Sequence, residues 1–254
     1  MHPGSGPAAP PLVCLHGFMD TPRTWDLVRP ALARSYAVLT PALPGHLGGP
    51  PLTGRPTLDA LADAVERAMD DAGIGTAHLA GNSLGGHLAL RLAARGRARS
   101  VVALAPAGGW RGETSRETLD LQAGMHAQLA GVAPHAEALV ATADGRRRVT
   151  SQITVRHEHL PAELLAHLVR GAAAADAGRL LRVGREADWS LDVARIACPL
   201  RIVWGTEDRL LPWPAAAERL RDELPHADWI VLDGVGHSPQ LDVPLEVAQL
   251  MLHP

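Results

Sequence analysis

A serine, an aspartate and a histidine each follow a separate apolar run of this chain. Ser83 lies in the stretch GNSLG, and Asp208 and His237 lie a few residues beyond two later apolar runs. A serine hydroxyl is barely nucleophilic at neutral pH and needs a base within hydrogen-bond reach. A histidine can be that base, and an aspartate can hold the histidine tautomer and stabilise the imidazolium that forms. These residue types therefore suit covalent attack by a serine.

The sequence around Ser83 predicts a sharp turn from a strand into a helix. A short apolar run at 77–80 precedes it, and leucines recur every four residues after it. In the pattern G-x-S-x-G the serine takes a cramped, positive-φ backbone, and the glycines on either side leave room for it. The same five residues also fit a glycine-rich loop ahead of a helix, so the surrounding elements must decide.

Short apolar runs alternate with helical patterns over most of the chain. The predicted strands lie at 12–15, 36–40, 77–80, 100–105, 200–204 and 229–232. Helices are predicted after Thr21, over 58–72 with Thr57 as the N-cap, after Ser83, over 214–224 and over 243–252. Such alternation predicts an α/β fold with a largely parallel central sheet of about six strands, flanked by helices on both faces.

The alternation stops between residues 107 and 194. This segment has a helical pattern broken by Gly and Pro and no convincing buried strand. We interpret it as a helical insertion over one end of the sheet, with residues 1–106 and 195–254 forming the core. Functional groups of open α/β sheets collect beyond the carboxyl ends of strands, so the loops that carry Asp208 and His237 are expected beside Ser83.

Five motifs in order make the chain resemble the α/β-hydrolase family, in its short branch with a helical cap. They are LHGF at 15–18, LPGH at 43–46, GNSLGG at 81–86, GTED at 205–208 and GH at 236–237. The first apolar run lies almost at the N-terminus, so we expect the antiparallel strands that usually open this fold to be missing or reduced. Position 42, where relatives often have an aspartate, is an alanine.

The resemblance also implies roles for individual residues. Ser83 would be the nucleophile, His237 the base and Asp208 the acid. The backbone N–H groups of Phe18 and Leu84 would form the oxyanion hole, because Leu84 directly follows the nucleophile at a helix N-terminus. The insertion would be a cap over the pocket. A site of this kind needs no metal and no organic cofactor.

Several of these assignments have alternatives. Asp233 or Asp242 could be the acid in place of Asp208. His16 and His46 are expected to support loops by hydrogen bonding rather than to act in catalysis.

Three tryptophans lie beside the insertion boundaries or the loop that carries the acid; they are Trp110, Trp189 and Trp213. They could line an apolar substrate pocket, or they could pack the insertion onto the sheet. The stretch HEH at 157–159 offers metal-ligating residue types, but residues two apart diverge on a helix and no third ligand is indicated. We therefore predict a solvated face there and no metal site.

A serine at the elbow favours acyl chemistry, because epoxide hydrolases and dehalogenases of this family use an aspartate there. We therefore predict a carboxylesterase-like hydrolase of small esters. One alternative is a carbon–carbon bond hydrolase of the meta-cleavage type, although the glycine- and proline-rich oxyanion loop of that branch is absent. Another is a lyase like that of the menaquinone pathway, but His87 stands where an arginine is wanted. A slow-turnover ligand receptor on the same scaffold is the alternative from a different class.

Composition excludes other classes of protein. The chain has 24 basic and 27 acidic residues among 254, so we expect no nucleic-acid partner. The N-terminus has no basic start followed by an apolar core, and no charge-free apolar run reaches a membrane-spanning length of about 18 residues. Cys14 and Cys198 lie in or beside apolar runs, as reduced thiols do. We expect a soluble, cytoplasmic protein that acts on a small-molecule substrate.

Overall fold

The computed structural model describes residues 9–110 and 114–252. Residues 1–8, for which no signal-peptide pattern was found in the sequence, lie outside the described residues. A single sheet of six strands forms the centre, and every strand pairing is parallel. The strands are β1 (Pro11–Leu15), β2 (Ala37–Leu39), β3 (Ala77–Asn82), β4 (Ala98–Leu104), β5 (Leu200–Gly205) and β6 (Asp228–Leu232). Their order across the sheet is β2-β1-β3-β4-β5-β6. The predicted six-stranded parallel sheet is confirmed.

Helices and short 3-10 turns cover both faces of this sheet. They are a 3-10 helix at Pro22–Trp25, α1 (Arg29–Leu32), α2 (Leu58–Asp71), α3 (Leu84–Ala94), a 3-10 helix at Ala215–Ala217, α9 (Glu218–Glu223), α10 (Pro239–Asp242) and α11 (Pro244–Leu252). Two apolar clusters form the core, one on each face. Leu79, Leu88 and Trp204 belong to one, and Leu12, Trp25 and Val203 to the other. Alternate residues of β5 thus pack on opposite faces.

The helix α2 follows directly from its sequence. The Thr57 side chain accepts a hydrogen bond from the N–H of Ala60, which satisfies one of the unpaired donors at the helix start. One face of the helix is buried, and it consists of Leu58, Leu61, Ala62, Val65 and Met69. Gly73 adopts a φ of 70° just after the helix ends. The predicted N-cap is confirmed, and the predicted end at residue 72 is correct to within one residue.

The segment after Thr21 departs from the single helix that was predicted. Thr21 does cap the 3-10 helix by accepting from the N–H of Arg23. This 3-10 helix ends at Trp25, and α1 begins at Arg29. Pro30 has no N–H to donate to the carbonyl of Asp26, so one continuous α-helix cannot run through this segment.

Among the described residues between β4 and β5 there are five α-helices, which we call the inserted helices, besides 3-10 helices at Ala133–His135 and Val193–Arg195. They are α4 (Thr114–Val132), α5 (Ala136–Val140), α6 (Ala143–Thr150), α7 (Ala162–Ala174) and α8 (Ala177–Glu186). They have apolar clusters of their own, in which Leu164 and Val169 of α7 and Leu180 of α8 are buried. No strand occurs in this stretch as far as the structure describes it, and none of the described helices could cross a membrane.

Candidate active site

Ser83 lies at the turn between β3 and α3, with φ of 56° and ψ of −116°. A non-glycine residue rarely adopts such a backbone, so the surrounding packing must hold it there. A Cβ added at Gly81 would lie 2.2 Å from the carbonyl oxygen of Gly85, and one at Gly85 would lie 2.2 Å from the carbonyl oxygen of Leu15. The predicted strained turn, with glycines required on both sides, is confirmed.

The imidazole of His237 forms a buried pair with the carboxylate of Asp208. Nδ1 of His237 lies 2.8 Å from Oδ2 of Asp208. The other carboxylate oxygen accepts hydrogen bonds from the backbone N–H groups of Leu210 at 2.9 Å and Leu211 at 2.7 Å. Because the carboxylate can only accept, we assign the imidazole proton to Nδ1. Nε2 of His237 is buried and bonds to none of the described residues, so this nitrogen is available to take a proton.

The two alternative aspartates are engaged elsewhere. The Asp242 carboxylate accepts hydrogen bonds from three backbone N–H groups at 2.7 to 2.9 Å, and burial raises its pKa. Asp233 is exposed and accepts a hydrogen bond from the hydroxyl of Thr206. Of the three aspartates, Asp208 is thus the one that bonds the imidazole of His237.

The loop after β1 brings Phe18 next to the serine. A Cβ added at Gly17 would lie 3.4 Å from the Cβ of Ser83. Leu84 is the first residue of α3, so its N–H has no partner within the helix. Phe18, Ser83 and Leu84 line the same cavity. The two backbone N–H groups named from the sequence therefore belong to residues that share a cavity with the serine.

Two buried histidines brace this loop. Nε2 of His16 accepts a hydrogen bond from the N–H of Leu43 at 3.0 Å, so its Nδ1 donates to the carbonyl of Gly17 at 2.9 Å. Burial and the neighbouring His46 hold the pKa of His16 well below its usual value. Burial also lowers the pKa of His46 to about 4. Both rings stay neutral, and the hydrogen bonds made by His16 fit the supporting role predicted for it.

Two cavities meet at Ser83, and the walls of both include Phe18, Ser83 and Gln122. The first cavity is otherwise almost entirely apolar, with walls that include Leu61, Trp110, Leu119, Leu180, Trp189 and Leu211. The second is lined by residues such as Asp20, Met125, Leu129, Leu168, Val169 and His237. Mostly apolar walls with a few polar groups suit a small molecule.

The three tryptophans singled out from the sequence take different positions. Trp110 and Trp189 line the first cavity, and their rings meet edge to face with centroids 5.2 Å apart. Trp213 lines neither cavity. It packs between Trp204 and Trp229, with ring centroids at 6.1 and 6.2 Å. Trp213 thus packs against two tryptophans of the core strands, whereas the sequence analysis offered a pocket wall or a contact between the insertion and the sheet.

Asp20 is a site residue that the sequence analysis missed. Its half-buried carboxyl lines the second cavity and accepts a hydrogen bond from the N–H of Thr21 at 2.7 Å. Burial raises the pKa of Asp20 to about 6, although hydrogen bonds from Thr21, Thr24 and Gly17 and the nearby His237 oppose that shift. The sequence did offer one signal for Asp20, since it lies only two residues after Phe18 in the loop that follows β1.

Asn82 was also missed, since it occupies a variable position of the G-x-S-x-G pattern. Its side-chain N–H group donates to the carbonyl of Leu104 at 3.1 Å and to the carbonyl of His237 at 2.9 Å. Its oxygen accepts from the amide of Gln240 at 3.2 Å. Asn82 therefore ties the strand before the serine to the loop that carries the histidine.

The comparisons with known proteins agree with this fold. A profile described as "Alpha/beta hydrolase family" matches residues 12–250. The chain belongs to the α/β-hydrolase family, and it is a hydrolase.

The curated relatives include two hydrolases of different kinds. The chain is 32% identical to epoxide hydrolase EphH of Mycobacterium tuberculosis over 195 residues, which covers 75% of this chain and 91% of the relative. It is 33% identical to the pimeloyl-[acyl-carrier protein] methyl ester esterase of Aromatoleum aromaticum over 256 residues, which covers 95% and 96%.

Among solved structures, a bacterial membrane phospholipase A matches with a TM-score of 0.76 at 24% identity, over 98% of this chain and 79% of that one. A carboxylesterase from Bacillus subtilis matches with a TM-score of 0.71 at 21% identity, over 98% and 84%. At these identities the likeness shows the fold.

Proposed function

We propose that this protein is a serine hydrolase that cleaves small-molecule carboxylic esters through an acyl-enzyme. The observation that carries the proposal is a buried imidazole, oriented by Asp208 and with its second nitrogen unpartnered, in the wall of a cavity that Ser83 also lines. A buried basic nitrogen without a partner is costly unless it serves a reaction. A serine on a strained turn in the same wall gives it a proton to take.

The proposed reaction uses these groups in sequence. His237 removes the proton from Ser83 Oγ as the oxygen attacks the ester carbonyl, and Asp208 stabilises the imidazolium. The N–H groups of Phe18 and Leu84 stabilise the negative charge on the carbonyl oxygen. His237 then returns the proton to the departing alcohol. Water, activated by the same imidazole, hydrolyses the acyl-serine and frees the carboxylic acid.

The cavity walls support an uncharged substrate. Arginine is the chain's only basic residue type besides histidine, and no arginine lines either cavity in the part of the chain that the structure describes. A substrate carboxylate there would lose its hydration without gaining a cationic partner. A neutral ester with apolar parts on both sides of the carbonyl suits the two cavities better. The methyl ester esterase among the relatives also supports ester chemistry.

The epoxide hydrolase relative suggests a different reaction, but Ser83 stands where enzymes of that kind have an aspartate. His87, which replaces the arginine wanted for the lyase alternative, lies outside both cavities. Its ring is buried, bonds the carbonyl of Ala107 at 3.1 Å and accepts from Arg91 at 3.2 Å. Burial lowers the pKa of His87 to about 3. A neutral, fully engaged histidine favours packing at this position.

We also propose that the segment 107–194 is a cap over this site, with residues 1–106 and 195–254 as the core. Side chains of α4, α7 and α8 line the two cavities, which supports that role. We place the protein in the cytoplasm, where free thiols such as those of Cys14 and Cys198 are usual.

Turnover of a short-chain nitrophenyl ester tests the proposal. We expect burst kinetics from acyl-enzyme formation, and Ser83→Ala should lower kcat by about 10⁴-fold or more while the circular dichroism spectrum is retained. Styrene oxide, offered under the same conditions, should not be opened. Ester turnover that survives Ser83→Ala would refute this mechanism, and binding of esters without turnover would favour the receptor alternative.

A further inference from the structure

Gln122 occupies the point where the two cavities meet. It belongs to α4, whose side chains at 118 and 119 line the first cavity and whose side chains at 125 and 129 line the second. Gln122 lies between them and lines both, as only Phe18 and Ser83 of the described residues also do. Phe18 and Ser83 lie on the loops that follow β1 and β3, and we call the part of the site formed by the strands and their loops the sheet side. Gln122 is thus the one described residue of the inserted helices that lines both cavities, and it carries a carboxamide.

Gln122 is only 8% exposed. Its amide atoms are not among the fully enclosed polar atoms without a partner, and no hydrogen bond joins them to another described residue, so the amide faces the cavity space. Two other polar side chains of the second cavity are bonded within the protein. The hydroxyl of Thr150 donates to the carbonyl of Arg146 at 2.8 Å, and Asn82 has the partners described above. A substrate can therefore bond the Gln122 amide without breaking a hydrogen bond of the protein.

We propose that the Gln122 carboxamide binds the substrate, and that it selects esters with an ether or hydroxyl oxygen one or two atoms from the scissile ester group. The inference rests on the proposed ester hydrolysis at Ser83. A carboxamide offers two N–H donors and one acceptor, so it can bond an oxygen of this kind. Because Gln122 lines both cavities, that oxygen can lie on the acyl side or on the alcohol side. An ester without it leaves the amide unpaired.

Two pairs of isosteric esters test this selection. On the acyl side, 4-nitrophenyl methoxyacetate is compared with 4-nitrophenyl butanoate. On the alcohol side, 2-methoxyethyl acetate is compared with butyl acetate. The ratio of kcat/KM within each pair is measured for the wild type and for Gln122→Met, which keeps the length of the side chain and removes its polar atoms. Intrinsic reactivity cancels when the ratios of the two proteins are compared.

We expect Gln122→Met to lower the ratio of ether ester to alkyl ester by about tenfold in at least one pair. Gln128→Met is the matched control, since Gln128 is an exposed residue of the same helix and should leave both ratios within about twofold. Unchanged ratios in both pairs for Gln122→Met, or an equal fall for all four esters, would overturn the proposal.

Thermal unfolding separates substrate binding from a structural role. Replacing an amide that makes no hydrogen bond within the protein should leave Tm nearly unchanged, whereas replacing a structural glutamine would lower Tm. A fall in Tm of several degrees would therefore also count against the proposal. Failure of the proposed function is recognised separately, because the wild type would then not turn over these esters, or turnover would persist in Ser83→Ala, whatever Gln122→Met does.

Discussion

The sheet side and the inserted-helix side of the site hold their residues in different ways. On the sheet side, backbone geometry and hydrogen bonds fix each group: Ser83 by a strained turn, and His237 by a buried carboxylate. On the helix side, most residues that reach the cavities are apolar, and the amide of Gln122 faces the space where the two cavities meet.

This difference separates two properties of the proposed enzyme. Interactions that exist only in the transition state must be preorganised, which the sheet side achieves through fixed donors and a fixed base. Apolar walls are more tolerant. One methylene group more or less on the substrate changes kcat/KM by only about 10- to 200-fold in such a pocket. We therefore expect changes on the sheet side to affect the reaction itself and changes on the helix side to affect which ester is chosen.

After the nucleophile itself, the largest effect is expected for Asp208→Asn on the sheet side. The Asn oxygen would keep the two hydrogen bonds from Leu210 and Leu211, which turns its amide N–H group toward His237. The imidazole would then have to accept at Nδ1 and carry its proton on Nε2, so it could no longer take one from Ser83. We expect kcat for a nitrophenyl ester to fall by roughly 10³- to 10⁴-fold.

Asp233→Asn is the control for this measurement. Asp233 is exposed and bonds Thr206 rather than the imidazole, so kcat should stay within about twofold of the wild type. A small effect of Asp208→Asn, or a large one of Asp233→Asn, would mean that a different acid orients the base.

Glycine substitutions compare the packing of the two sides. Gly85→Ala would force a Cβ to within 2.2 Å of the carbonyl oxygen of Leu15, so it should lower the free energy of unfolding by about 3 kcal/mol or more. Gly124→Ala in α4 has no atom within 4 Å of the added Cβ, and it should raise stability by about 0.5–1 kcal/mol. Urea titration measures both, and equal tolerance at the two positions would contradict the close approach of β1 and α3.

A smaller and pH-dependent effect is expected for Asp20→Asn. The folded state holds the Asp20 proton up to a pKa of about 6, against 3.8 in the unfolded chain. Its contribution to stability is therefore fully present below pH 3.8 and is lost as the pH rises through 6. The variant should melt about 2–4 °C above the wild type at pH 7.5 and at about the same temperature near pH 4. A constant difference in Tm at both pH values would show that ionisation of Asp20 is not its cause.

The sheet side was also the part that the sequence made predictable. A Cβ on Gly81 would meet the carbonyl of Gly85 four residues later, and Thr57 caps the helix that directly follows it, so both can be recognised from their neighbours in the chain. The roles of Asp20, Asn82 and Gln122 depend on which surfaces meet after folding. Trp213 illustrates the same limit, because nothing in its local sequence distinguishes a residue that stacks between Trp204 and Trp229 from one that lines a cavity.

Intact mass after incubation with an organophosphonate probe tests the central claim most directly. Such a probe reacts with a serine only where a base activates it and an oxyanion hole receives the developing charge. We expect one adduct per chain, mapped by peptide analysis to Ser83 and absent from Ser83→Ala. An unmodified wild-type protein, or an adduct on another residue that persists in Ser83→Ala, would contradict the assignment of the nucleophile.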